Sequence, residues 1–217
     1  MKKYAFTLAI ALLGMVFTSQ AQTSSKEVLD KLSAKAKTFK TITSDFTSTL
    51  QNQKAGVNQT SNGSIKVKGS KYYVNMGDYQ IWCDGTTVWN YSKGDNSVTI
   101  DDLADVKDGG FDPAEMFTIW EKNFKHVMKD PSATVDGVSV YQITLNPNDP
   151  KNKSYHTITL NIDKAKMEVS KVEVKTRENA TITYKIKNFK TNNELPDADF
   201  TFNKGKFPGV EVVDNRL

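Results

Sequence analysis

The chain has 217 residues, enough for one good-sized domain, with 29 Lys and Arg against 25 Asp and Glu and a mean hydropathy of −0.52. So even a balance argues against a nucleic-acid partner, whose recognition rests on clustered cations. The single cysteine, Cys83, excludes an internal disulfide, so stability has to come from packing.

Met1-Lys2-Lys3, an apolar run from Tyr4 to Phe17 and the small-residue segment Thr18-Ser19-Gln20-Ala21 have the three parts of a secretory signal peptide. Ser19 and Ala21 satisfy the small-x-small rule, which predicts cleavage after Ala21 and a single domain over residues 22–217. The run is shorter than the roughly 20 residues of a membrane span, and no later segment is apolar enough to serve. The expectation is an exported, soluble chain whose formal net charge falls from +4 to +2 when Lys2 and Lys3 leave. Cys83 is remote from the cleavage site, so no lipid anchor is expected.

From Lys26 to Phe39, Val28, Leu29, Leu32, Ala36 and Phe39 recur at three- and four-residue steps, the pattern of an amphipathic helix with one stripe to bury. The period then changes to two. Ile42, Phe46 and Leu50 alternate with threonines in a strand to about Gln53, and Asn58 begins its return through Gly63 to Val67. Lys71–Met76, Tyr79–Cys83, a hairpin about Asp84-Gly85 and Val98–Ile100 continue a meander of short strands. Asp108-Gly109-Gly110 reads as a loop. Asp112-Pro113 reads as the N-cap and first position of a short helix with Met116, Phe117 and Trp120 on one side, extendable to Phe124 and Val127. Strand signals resume at Val138–Leu145, His156–Ile162, Val169–Thr176 and Thr181–Phe189, with a last extended piece near Val210–Val213.

One long helix, about ten strands and one short helix make an α+β domain. A large antiparallel sheet with one apolar face must curl or be covered. Two helical segments cannot seal it, which predicts a cavity between sheet and helices.

Catalytic motifs are missing. His126 and His156 have no metal-ligand companions at the required spacing, and read as surface or turn-edge residues. Cys83 reads as a buried strand thiol, and Asp101, Asp102 and Asp105 as a solvated acidic turn without EF-hand spacing. There is neither a Gly-x-Ser-x-Gly elbow nor a phosphate loop. Sequons such as those at Asn58, Asn62, Asn152 and Asn179 are of consequence only in a glycosylating host. Individually the aromatics are core by default. Together, on an exported half-covered sheet, they suit a binder of an apolar ligand.

Several stretches carry a family likeness: Leu29-x-x-Leu32, Asp45-Phe46-Thr47, Gly63-Ser64-Ile65-Lys66-Val67-Lys68, and the hairpin Asp84-Gly85-x-x-Val88-Trp89-x-Tyr91 followed by Asn96-Ser97-Val98. Phe200-Thr201-Phe202 and Gly209-Val210-Glu211-Val212-Val213-Asp214 complete it. In these the chain resembles the periplasmic lipoprotein carrier family, LolA, over essentially all of the mature sequence. The resemblance implies a curved, unclosed antiparallel β-barrel of about eleven strands, covered by a few helices acting as a lid. It implies a non-enzymatic chaperone without a cofactor or metal, a monomer in the periplasm. Such a chaperone takes the acyl chains of a lipoprotein from an inner-membrane lipoprotein-releasing transporter and delivers them to the outer membrane, to a receptor where one exists. The expected lipid-binding cavity comprises Ile65, Val67, Ile81, Trp89, Met116, Phe117, Trp120, Ile158 and Leu160.

The strand faces are open at this point: Ile81, Cys83, Val88 and Asn90 compete with Trp82, Trp89 and Tyr91, and Trp89 is taken as the cavity residue. Well-studied members also carry Arg-Pro after the strand equivalent to Ile65–Val67, where this chain has Gly69-Ser70, so the arginine that ties the lid is not carried over. Lys68 and Lys71 are the nearby cations. The alternative on this fold is a carrier or sensor of another lipid or glycolipid, and a secreted hydrolase using an acid or Cys83 is third.

Overall fold

The structure is a computed structural model describing residues 23–109, 114, 117–121, 123–151 and 153–216. The signal segment, Gly110, Asp112-Pro113, Met116 and Asn152 fall outside the described residues.

Helix α1 (Ser25–Ala36) begins at Ser24, whose hydroxyl accepts from the Glu27 amide and caps the first turn. Glu27 to Lys31 and Lys26 to Asp30 pair across one turn on its wet side, while Val28, Leu29 and Leu32 are buried on the other. The strands follow: β1 (Ile42–Asn52), β2 (Val57–Lys68), β3 (Lys71–Met76), β4 (Tyr79–Cys83), β5 (Thr87–Ser92) and β6 (Ser97–Asp102). After helix α2 (Leu103–Gly109) and a 3₁₀ turn (Ile119–Glu121) come β7 (Phe124–Asp130), the two-residue β8 (Thr134–Val135), β9 (Val138–Pro147), β10 (Tyr155–Asp163), β11 (Glu168–Thr176), β12 (Thr181–Thr191) and β13 (Glu211–Asp214).

All thirteen belong to one sheet in the order β13-β6-β5-β4-β3-β2-β1-β12-β11-β10-β9-β7, with β8 hairpinned onto β9. Every pairing is antiparallel except that of β13 with β6. The sheet is a curved, unclosed half-barrel, as expected, with two strands more than the expected eleven. Two local expectations are corrected. Phe124 and Val127 lie in β7, not on a helix, because Phe124 and Met128 pair with β9 and pack inward. Asp108 and Gly109 end α2; the acidic run hid a seven-residue helix that turns Leu103 and Val106 to the core.

The two faces differ in chemistry. Directly opposed residues in a ladder share a face, and one such row reads Leu50, Ile182, Val174, Ile158, Leu145, while the next reads Tyr184, Val172, Leu160, Ile143, Met128. These rows form the inner face. On the outer face the row between them is Thr49, Thr183, Glu173, Thr159, Thr144. The alternation is the sequence period of two, laid across six strands.

Gly63 shows how tightly the inner face is built. It lies opposite Phe46, and a Cβ placed on it would come within 2.4 Å of the Phe46 ring. The ring covers this position and meets Tyr184 edge-on at 6.1 Å.

Candidate functional site

Two clusters fill the inner face. Under α1, Val28, Leu29, Leu32 and Trp120 pack on Ile143, Leu145, Ile158, Leu160 and Ile162. Beside them Ile42, Phe46, Ile65, Val67, Tyr72, Val74, Cys83, Val88 and Leu103 pack together, with Ile81, Phe117, Tyr184, Ile186 and Phe189 at the margin. Burial on this scale contributes about 1.5–3 kcal/mol per large side chain.

Residues 117–121 lie over the junction between these clusters. Trp120 is 5% exposed, and its indole Nε1 donates to Ser33 Oγ of α1 at 2.8 Å. Glu121 pairs with Lys37 at 3.3 Å. Helix α1 is tied to the sheet at both ends: Ser25 Oγ and His126 Nδ1 are 3.0 Å apart, and Lys35 Nζ donates to the Lys166 carbonyl and to Glu168 Oε1 at 2.8 Å.

Two spaces flank Trp120. On its outer side an open groove of about 560 Å³ runs along α1, lined by Leu29, Ser33, Lys37, Glu121 and His126. On its inner side a cavity of only about 20 Å³ lies between Leu32, Phe39, Phe117, Met167, Val169 and Phe189. That is room for one water, against the 300–1,000 Å³ of a small-molecule site. Between these residues there is no room for an acyl chain.

Of the expected cavity residues, Ile65, Val67, Ile81, Phe117, Trp120, Ile158 and Leu160 share this inner face. Met116 is outside the described residues. Trp89 is elsewhere. It pairs with Trp82, and both turn to the outer face, where they join Tyr73, Tyr91, Val98, Phe202, Phe207 and Val210 in a separate aromatic cluster. The strand partners Cys83 and Val88 face inward. The facing chosen from sequence is thus corrected: the outer face of this corner is not wet but covered by the C-terminal segment, so both faces are apolar there.

The hairpin turn is also shifted by one residue. The Asp84 amide donates to the Thr87 carbonyl at 3.3 Å, leaving Gly85-Thr86 as the loop, and only Gly85 has a positive φ, +101°. This matches a II′ arrangement, which takes glycine first, and not the I′ turn that Asp-Gly suggests. Burial works against the Asp84 carboxylate, but its Oδ1 accepts from the Thr86 and Thr87 amides and the Thr86 hydroxyl, which holds its pKa below the ordinary value.

Neither cation near Gly69-Ser70 reaches the inner face. Lys68 and Lys71 grip opposite oxygens of Asp197, each at 2.8 Å, and hold its pKa down to about 2; Lys66 binds Asp199 at 2.8 Å. All three lysines pin the C-terminal segment to the outer face. Among the described residues there is no group of three His, Cys, Asp or Glu that could hold a metal.

Sequence reasoning missed most residues of the inner cavity, Val169 among them. Leu32, Phe39 and Phe189 are in patterns already read as helix or strand, so a stripe gave them only as core. Met167 carries no pattern signal: it sits in the β10–β11 turn at φ +49°, rare for such a side chain.

Three solved structures align with this chain. An uncharacterized conserved protein from Thermus thermophilus aligns with a TM-score of 0.54 at 12% identity, over 88% of this chain and 98% of that one. A LolA superfamily protein from Nitrosomonas europaea aligns at 0.44 and 10% identity, over 83% and 98%. The lipoprotein LppX of Mycobacterium tuberculosis aligns at 0.46 and 11% identity, over 80% and 100%. A search of curated proteins finds no match. No described helix is long and apolar enough to cross a membrane. The family model described as outer membrane lipoprotein carrier protein LolA matches residues 15–180, three quarters of the chain, and the protein belongs to that family.

Proposed function

We propose that this protein is a periplasmic chaperone that takes up the acyl chains of lipoproteins and carries them from the inner to the outer membrane. It is exported by a signal peptide cleaved after Ala21. It receives its load from an inner-membrane lipoprotein-releasing transporter and passes it to the outer membrane, to a receptor where one exists. No bond is made or broken.

The observation that carries this reading is the inner face itself. An apolar surface spanning the sheet lies under α1, Leu103 and Val106 of α2, and residues 117–121, whose Trp120 and Glu121 are tied to α1 through Ser33 and Lys37. An acyl chain contributes about 0.8 kcal/mol per buried CH₂, enough to displace such a cover and to be released when a membrane offers the same burial. The residues proposed to meet the chain are Ile65, Val67, Ile81, Phe117, Trp120, Ile158 and Leu160.

The test is release of a radiolabelled lipoprotein from inner-membrane spheroplasts by the purified mature protein. Release well above buffer supports the proposal. No release by a folded protein that still extracts with bound lipid refutes it, and favours a second reading, a carrier or sensor of a free lipid or glycolipid. One observation already leans that way: Gly69-Ser70 replaces the arginine of well-studied members, and Lys68 and Lys71 are committed to Asp197 on the opposite face.

A further inference from the structure

We propose that the ligand chain enters through the seam between the last turn of α1 and the β11–β12 side of the sheet, and that the Lys35–Glu168 ion pair is the clasp of this portal. The inference rests on the binding role proposed above and adds a place and a device to it.

The small inner cavity lies on this seam. On the helix side its wall is Leu32 and Ala36 of α1, with Phe39 just beyond; on the sheet side it is Met167, Val169 and Phe189. The contacts that cross are edge-on or tilted rings, Phe39 on Phe189 at 5.8 Å and Phe117 on Phe189 at 5.7 Å. Rings meeting this way separate without breaking a hydrogen bond, and the surfaces they uncover are those an acyl chain would cover. The seam between α1 and residues 119–121 is joined as well, by the Trp120–Ser33 hydrogen bond and the Lys37–Glu121 pair, so helix and segment are fastened to each other as they are to the sheet.

The Lys35 side chain spans the portal. Lys35 and Glu168 both line the cavity, 34% and 25% exposed, with Nζ and Oε1 2.8 Å apart; Lys35 also donates to the Lys166 carbonyl. Next to Glu168, Met167 is held at φ +49°, a conformation that costs a side chain of this kind free energy. A strained turn and a partly exposed ion pair make a fastening that lipid binding can undo. Its strength should fall with added salt.

The experiment uses charge reversal and rescue on the full mature chain. Lys35→Glu and Glu168→Lys are compared with the double exchange, in which the pair is restored with its charges swapped. Two rates are read: maleimide labelling of Val169→Cys in the empty protein, against which wholly buried Cys83 serves as background, and uptake of a fluorescent twelve-carbon fatty acid. Each single reversal is expected to speed both rates about three- to tenfold, and the double exchange to return both toward the parent. Should a reversal not fold, Lys35→Gln and Glu168→Gln keep the shape and speed both rates by a smaller factor. Labelling unchanged in the single variants overturns the clasp. Faster labelling with unchanged uptake overturns the portal. Faster labelling and rescue, with no fatty acid entering any form, leaves the clasp standing and refutes the binding role on which it rests.

Discussion

Replacing Trp120 by alanine tests the central claim, that residues 117–121 are a packed cover. Burying a tryptophan removes about 150–250 Å² from water, worth about 4–6 kcal/mol at 25 cal/mol per Å². Truncations of this kind cost about 3–5 kcal/mol. Here the lower end applies, because the indole separates the open groove from the inner cavity, and water from the groove can fill the vacated volume. The expected loss is about 3 kcal/mol. Trp120→Phe keeps a ring but forfeits the bond to Ser33, whose hydroxyl can turn to water, and should lose about 1–2 kcal/mol. Urea unfolding followed by circular dichroism measures both, as a shift of midpoint at constant m. With the partition gone, the alanine variant should also take up anilinonaphthalene sulfonate that the parent excludes. A loss under 1 kcal/mol with no gain in dye binding would mean that the segment is not packed on the sheet.

Gly63→Ala should destabilise by about 1–3 kcal/mol, since its Cβ would lie 2.4 Å from the Phe46 ring and 2.7 Å from the Asn75 carbonyl; a neutral result in urea would show that Phe46 can move aside. Trp89→Leu should lower the melting temperature while leaving fatty-acid uptake unchanged, whereas Phe117→Asp should cut uptake severalfold, and equal effects on uptake would contradict the assignment of faces. The Asp197 carboxylate titrates near 2 instead of 3.8 because Lys68 and Lys71 hold it. A depressed folded pKa means that its contribution is complete above about 3.8 and lost as pH falls through about 2. The near-ultraviolet signal of the Trp82 cluster, recorded from pH 5 to pH 2, should therefore lose a component in Asp197→Asn; superimposable curves would sever that link.

Much of the fold was legible because its elements announce themselves locally. The stripe of Val28, Leu29 and Leu32 and the alternation of Ile158, Leu160 and Ile162 each state a period and a buried side. Where both faces of a strand are apolar, as in Ile81-Trp82-Cys83 and Val88-Trp89, period two no longer says which way is in. The facing of Trp89 was illegible for that reason. Helix α2 was missed for the opposite reason, too few apolar residues to show a period. The turn at Gly85 slipped by one residue because Asp84 serves as acceptor for the loop amides instead of occupying the loop.

The sequence alone determined the class of the molecule: an α+β chain with a large antiparallel sheet and few helices, and a resemblance to the lipoprotein carriers in its hairpin and strand motifs. The first follows from composition and short-range period, which act within a few residues. Only the tertiary structure decided that the C-terminal segment covers the outer aromatics, that Lys68 and Lys71 belong to Asp197, and that Met167, Phe39 and Phe189 meet at one seam. Those contacts join positions up to about 150 residues apart, and their partners are chosen by sheet register and curvature, which no local pattern encodes.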